Sequence, residues 1–277
     1  MPTIYLERCT ECLKCVKDCP SSAIDIKTGL ISSSCIHCGH CVAICPESTI
    51  APDFGKITAL EHPVFSPLDF QHFSAGLRSI RSYLNKEVPE EVIQMIIENM
   101  KNYSSASNAR PIKVAVIRSP EKIQKLNDLT VSTLINSLKI VTQPFLKPFI
   151  KIFAPSINIT GLKKYQESFI RKQKTNTSMI CHHAPVVLLF HGPKGKLGMS
   201  QADAYIWATH TTIFAKTLGL GSCFIGFIVM AMERNKTLKR EMNIPLNNKV
   251  YAALVIGYPK VSYKNETSRQ RPEMTLV

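Results

Sequence analysis

Residues 8–20 read "RCTECLKCVKDCP", and residues 34–46 read "SCIHCGHCVAICP". Cys9, Cys12, Cys15, Cys19, Pro20 and Ile24 return as Cys35, Cys38, Cys41, Cys45, Pro46 and Ile50, each shifted by 26 positions. A constant period across thiols, proline and an apolar residue marks an internal duplication with pseudo-two-fold symmetry.

Eight of the ten cysteines fall in the first 45 residues. An apolar export leader would have to occupy the place of Cys9. No stretch approaches the roughly 18 apolar residues that cross a bilayer. These features lead us to expect a soluble cytoplasmic protein, in which thiols stay reduced and serve as metal ligands rather than disulfides. The run C-x2-C-x2-C-x3-C-P, present twice, is the pattern of bacterial ferredoxins with two 4Fe–4S clusters. Three thiolates on a tight loop reach three irons of one cube. The fourth lies beyond a redirecting proline and ligates the other cube. The expected shells are Cys9, Cys12 and Cys15 with Cys45, and Cys35, Cys38 and Cys41 with Cys19. Zinc is the competing reading, but zinc sites favour paired C-x2-C units across a longer gap. His37 and His40 are read as loop residues.

The whole chain has 277 residues, 45% of them hydrophobic and 19% charged, which fits a globular protein of one or two domains. Residues 1–58 carry five basic and six acidic side chains, so the remainder carries +15 of a formal total of +14. Each oxidised cube with four thiolates adds about −2, making an acidic module joined to a basic one. The basic part either attracts anionic ligands or is a lysine-rich solvated surface.

Beyond Ile50 the text changes. Residues 59–68 read as a linker, with two prolines in "EHPVFSPLDF" (61–70). Phe70, Phe73 and Leu77 stand at helical spacing. Pro89, Glu90 and Glu91 open a helix whose core face is Val92, Ile93, Ile96, Ile97 and Met100. "IKVAVIR" (112–118) is strand-like, and Ser119, Pro120 and Glu121 begin another helix. "PVVLLFH" (185–191) is a buried strand. A helix from Ser200 runs through Ala204, Trp207, Ala208, Thr211 and Ala215 to Gly219 or Gly221. "KVYAALVIGYP" (249–259) is the last strand, and the class is α+β. Cys223 is read as a small core residue, and His182 and His183 as structural or pocket-lining.

"LRSIRSYLNKEVPEEVI" (77–93), "SSASNARPIKVAVI" (104–117), "GLGSCFIGF" (219–227) and "VIGYPK" (255–260) with "SRQRP" (268–272) together resemble the nitroreductase family of FMN enzymes, in family order. The whole resembles the ferredoxin–nitroreductase fusions of anaerobic microbes. The resemblance implies residues 1–58 as a 2×4Fe–4S ferredoxin domain and residues 69–277 as an FMN domain. The latter is expected to be an α/β sandwich around a mainly antiparallel sheet. By resemblance, Arg78, Ser79 and Arg81 grip the FMN phosphate, the ribityl chain and the N1–O2 edge of the ring. Asn108 faces the N5–O4 edge with Ser105 nearby. Ile225 and Gly226 lie in the loop near N5, and Arg269 and Arg271 return to the phosphate. Leu77 departs from the family, whose members often carry a basic residue there, so the clamp leans on the two tail arginines.

The expected activity is that of an iron–sulfur flavoprotein. Single electrons pass through two clusters to FMN, which reduces a nitroaromatic, quinone or enone. No side-chain acid or base is indicated, because water or substrate can supply protons. The donor is an external ferredoxin or flavodoxin, or NAD(P)H. No G-x-G-x-x-G follows a strand, and "HGPKGKLG" (191–198) matches it weakly. The family forms homodimers. The alternative is an electron-transfer adapter for a partner protein, without a small-molecule substrate. Residues 142–178, with seven basic side chains against one acid, are read as a cover over the flavin or a surface insertion. A nucleic-acid role is not expected.

Anaerobically purified protein is therefore expected to be brown, with about eight irons per chain. A colourless protein with stoichiometric zinc would contradict the cluster assignment.

Overall fold

The computed structural model describes all residues except 62–65, 144–160, 162–163, 165, 168–169, 172–177, 195–198 and 268. The reading of residues 142–178 as a cover lies mostly outside the described residues. The chain forms two compact units. One comprises Met1–Ser66 and Ser105–Arg110; the other comprises Pro67–Ser104 and Pro111–Val277.

In the first unit the 26-residue repeat is visible as structure. The first half contains β1 (Thr3–Ile4), α1 (Lys14–Lys17) and β2 (Ile24–Asp25). The second contains β3 (Leu30–Ile31), α2 (His40–Ile44) and β4 (Ile50–Ala51). β1 pairs antiparallel with β4, and β2 with β3, so each half completes a ribbon with a strand of the other. Left-handed residues also echo: Glu11 and His37 (φ 50° and 56°), Leu13 and Gly39 (58° and 75°), Ser22 and Ser48 (49° and 50°). Several such non-glycine residues cost free energy that the surroundings must offset. Here they curl each loop tightly around its cysteines. The small core joins Ile4, Cys15 and Ile50 with Val16, Ile24, Ile31 and Val42.

The second unit is built on a four-stranded antiparallel sheet of order β5–β6–β8–β7. Its strands are β5 (Lys113–Ile117), β6 (Val186–Pro193), β7 (Gly221–Phe224) and β8 (Asn248–Gly257). β6 and β8 are apolar on both faces and central, so helices cover both sides. Val187, Leu189, Ala253 and Val255 pack with α5 (Pro120–Val141), α7 (Gly226–Arg234) and α8 (Lys236–Glu241). Val186, Leu188, Phe190, Leu254 and Ile256 pack with α4 (Glu90–Asn99) and α6 (Met199–Thr217). The result is the helix–sheet–helix sandwich expected from the resemblance.

Local chemistry sets the helix ends. Ser119 caps α5 by accepting from the Lys122 N–H at 3.3 Å, an interaction worth about 1 kcal/mol. α6 ends in a Schellman motif, with Gly219 at φ 73°, Leu220 N–H on the Ala215 carbonyl and Gly219 N–H on that of Lys216. α3 (Pro67–Ala75) is shorter than the Phe70–Phe73–Leu77 spacing implies, because Leu77 already belongs to an extended segment. β7 and α7 divide the apolar run from Cys223 to Met232 between a strand and a helix.

That extended segment lies along the sheet. Ser79 bridges Ser222 in parallel, and Tyr83 bridges Pro259 antiparallel. The Ile80 N–H donates to the Ser222 carbonyl, and the Lys260 N–H to that of Ser82, both at 2.9 Å. Close approach requires glycine beneath it. A β-carbon on Gly257 would lie 2.5 Å from Pro185 Cδ and 3.0 Å from Tyr83 Cδ1. Gly257→Ala is thus expected to destabilise the second unit by about 1–3 kcal/mol, lowering its thermal midpoint by roughly 2–10 °C. An unchanged midpoint in calorimetry would contradict this packing.

Candidate functional site

The eight motif cysteines sort into two cavities. One is lined by Cys9, Cys12, Cys15 and Cys45. The other is lined by Cys19, Cys35, Cys38 and Cys41. Strand exchange explains the mixing, since Cys45 leads into β4 on β1, and Cys19 leads into β2 on β3. Among the described residues, no three His, Cys, Asp or Glu side chains converge as ligands of one ion. The thiols of each set line the walls of one cavity. His37 is taken up by Asp53, and His40 pairs with Asp18 at 3.2 Å.

Backbone donors serve the sulfurs symmetrically. Glu11 N–H reaches Cys9 Sγ and His37 N–H reaches Cys35 Sγ, each at 3.4 Å. Ala23 N–H reaches Cys19 Sγ at 3.3 Å, and Thr49 N–H reaches Cys45 Sγ at 3.4 Å. Such donors stabilise thiolates and tune any cluster they hold. Burial opposes ionisation of Cys19 and Cys45. The Ala23 N–H and Ser21 at Cys19, and the Thr49 hydroxyl and N–H at Cys45, overcome it and hold both below the usual thiol range. Burial pushes Cys15 and Cys41 up. Cys15 and Cys41 thus shift in the same direction as each other, and so do Cys19 and Cys45.

In the second unit, the 78–81 segment has two faces because extended backbone alternates its side chains. Arg78 and Ile80 line a cleft of about 370 Å³ together with Lys216 and Ser222. Its size suits a small-molecule site. Arg78 Nη1 donates to the carbonyls of Ala75 at 2.6 Å and Leu77 at 2.8 Å. Arg269 Nη2 donates to the same Leu77 carbonyl at 2.8 Å, which joins the tail to this segment. Arg271 is exposed and does not line the cleft.

Ser79 and Arg81 take the other face, against Cys223. Burial pushes the Cys223 thiol up, while the Arg81 charge and hydrogen bonds from Ser79 and Arg81 pull it back only in part. Cys223 is 3% exposed, a core residue as its sequence context implies. β7 then delivers Ile225, the residue before α7, whose N–H donates to the Ala253 carbonyl of β8 at 2.9 Å. Gly226 begins α7, exposed, with no atom within 4 Å of where a β-carbon would stand. The first N–H groups of a helix lack internal partners and carry partial positive charge. An open, donor-rich face thus runs from Ser79 and Arg81 to the start of α7.

Ser105 and Asn108 belong to the first unit. The Ser105 hydroxyl accepts from the Arg110 N–H at 2.9 Å. The Asn108 amide donates to the carbonyls of Ile36 at 3.2 Å and His37 at 2.7 Å, between Cys35 and Cys38. Ser107, Asn108 and Arg110 are all left-handed, with φ of 50°, 52° and 46°. His183 lines a separate cavity of about 480 Å³ near Arg118. Arg118 is ion-paired with Glu87 and Glu90 there, so its charge is already met.

Lys216 was not among the residues that the sequence singles out. A lysine in the last turn of a helix ordinarily faces solvent and complements the dipole. Only the approach of residues 73–78 makes it a cleft residue.

The family model for a 4Fe-4S dicluster domain matches residues 1–46, and that for the nitroreductase family matches residues 75–258. The chain belongs to the nitroreductase family and is an oxidoreductase that joins this domain to an iron–sulfur dicluster domain. Among solved structures it is similar to an FMN-bound nitroreductase from Bacteroides fragilis NCTC 9343. The identity is 16% and the TM-score 0.57, over 75% of this chain and 97% of that one. An FMN-bound nitroreductase from Desulfitobacterium hafniense DCB-2 gives 16% and 0.56, over 75% and 97%. An FMN-dependent nitroreductase from Clostridium difficile R20291 gives 17% and 0.52, over 74% and 98%. At these identities the likeness establishes the fold. No curated protein matches the sequence.

Proposed function

We propose that the chain holds two 4Fe–4S clusters in its first unit and FMN in its second, and transfers electrons from the clusters to a small organic acceptor. The observation that carries this reading is the sorting of eight cysteines into two four-cysteine cavities in a chain that also carries a nitroreductase-family domain. Cys9, Cys12, Cys15 and Cys45 would hold one cube, and Cys19, Cys35, Cys38 and Cys41 the other. Bound FMN would supply the exchange between one-electron and two-electron chemistry that an organic acceptor requires.

The protein's part is binding and electrostatics. Ser79, Arg81 and the exposed start of α7 at Gly226 would present donors and one cation to a bound ring. Negative charge that develops on a reduced flavin ring is stabilised by such donors. Arg81 favours an anionic ring and so raises its potential. Arg269, tied to Leu77, and Arg271 are the tail cations assigned to the phosphate. Resemblance also assigns Arg78, Ser105 and Asn108 to the flavin. Arg78 turns into the cleft, and the Asn108 amide lies on the Cys35–Cys38 loop.

A nitroaromatic, quinone or enone suits a flat ring face. Exposed Phe224, Phe227 and Met230 at β7 and α7, with Tyr205 stacked on Phe224 at 6.0 Å, support association with a second copy. Among the described residues no helix is long and apolar enough to cross a membrane.

The test is anaerobic stopped-flow with reduced ferredoxin as donor. Flavin absorbance is expected to fall after mixing, then to recover with nitroaromatic or quinone faster than free FMN does. Cys12→Ala should slow the first phase and spare the second. Absence of bound FMN would defeat the reading. Recovery no faster than with free flavin would make the chain an adapter rather than an enzyme for small acceptors.

A further inference from the structure

The two halves of the first unit match in strands, left-handed residues and sulfur donors, but one loop carries a support that the other lacks. The half-buried Asn108, part of this unit, donates through its amide to the carbonyls of Ile36 at 3.2 Å and His37 at 2.7 Å. The counterparts of those two residues, 26 positions earlier, are Thr10 and Glu11. Among the described residues, the carbonyls of Thr10 and Glu11 accept no side-chain hydrogen bond. The repeat thus departs from its symmetry here, through a residue that lies outside the repeat.

Asn108 is held in place by its own segment. Its φ of 52° is left-handed, a region that asparagine tolerates better than most residues. Its backbone N–H donates to the Ser105 carbonyl at 3.0 Å. The Ser105 hydroxyl accepts from the Arg110 N–H at 2.9 Å, which closes residues 105–110 into a compact turn.

The amide reaches the sulfur through the backbone. The Ile36 carbonyl and the His37 N–H belong to one peptide group, and that N–H donates to Cys35 Sγ at 3.4 Å. A donor on the carbonyl end polarises the peptide and strengthens its N–H, because hydrogen bonds in a chain reinforce one another. The His37 carbonyl shares its peptide group with the N–H of Cys38. Holding both carbonyls also restrains His37 at its left-handed φ of 56°, the conformation in which its N–H meets the sulfur. Donors to cluster sulfurs stabilise the more negative, reduced state and so raise its potential.

We propose that Asn108 is a positioning residue for the Cys35–Cys38 loop, and that it makes the cluster on Cys19, Cys35, Cys38 and Cys41 the higher-potential one of the two. At equilibrium the first electron to enter then resides on that cluster. The potential difference presupposes the clusters proposed above, whereas the hold on the loop rests on hydrogen bonds of the first unit alone.

The experiment is an anaerobic redox titration of the full-length protein read by electron paramagnetic resonance, with hydrogen exchange measured on the same samples. The signal that Cys35→Ala alters is expected to titrate at the higher potential. Asn108→Gly keeps the left-handed backbone and removes the amide, and Asn108→Asp keeps the shape and removes the donor. Each is expected to disfavour reduction of that cluster on the order of tenfold, about 59 mV for one electron, and to leave the other cluster unmoved. Backbone amides of residues 36–38 should exchange on the order of tenfold faster in both variants, while those of residues 10–12 keep their native rate. Equal shifts of both clusters, or no shift, would overturn the effect on potential. Protein that shows neither cluster signal would defeat the cluster reading and the potential difference with it, while faster exchange at residues 36–38 would still uphold the hold on the loop. Exchange there unchanged in both variants would overturn that hold.

Discussion

The exchange of strands between the two halves of the repeat is the constraint on which the iron–sulfur unit depends. β1 is completed by β4, and β2 by β3, so neither half has a closed ribbon of its own. The fourth cysteine of each motif is carried across by this pairing, Cys19 just before β2 and Cys45 just before β4. In the proposed ligation, cluster binding and folding are therefore coupled. The protein core of this unit is small, with Ile4, Cys15 and Ile50 as its buried members. A unit of this size gains much of its stability from what its thiolates bind.

In the second unit the comparable constraint is the β6–β8 pair, covered on both faces. It fixes β7, and β7 fixes both the 79–84 segment and the start of α7. One extended segment thereby divides two chemistries. Ser79 and Arg81 lie on the side of the buried Cys223, while Arg78 lines the cleft with Lys216. Charge pairing separates this cleft from the cavity at Arg118. Arg118 meets two glutamates, whereas Arg78 donates to the Ala75 and Leu77 carbonyls and Lys216 to that of Phe73.

Much of this was legible in the sequence because the determining signals are local. The cysteine spacing reads the loop directly, and the 26-residue echo reads the symmetry. Pro89 with two glutamates, and Ser119 before Pro120, mark helix starts that the structure has at Glu90 and Pro120. β6 and β8 announce themselves as unbroken apolar runs. Non-local features were not legible. β7 is only four residues of glycine, serine, cysteine and phenylalanine, and pairing with β8 makes it a strand. α7 starts at a glycine without a side-chain cap, so nothing local separates it from β7. Lys216 becomes a cleft residue only through contact with Phe73, far away in sequence. Three left-handed residues at 107, 108 and 110 carry no sequence mark, since none is glycine.

The crossed assignment of the fourth cysteines is tested most directly by electron paramagnetic resonance of the reduced protein. Cys19→Ala and Cys35→Ala should alter the same cluster signal, and their double variant should spare the other. Cys9→Ala combined with Cys19→Ala should alter both signals. If Cys9→Ala and Cys19→Ala instead change one and the same signal, each motif ligates its own cluster, and strand exchange does not govern the site.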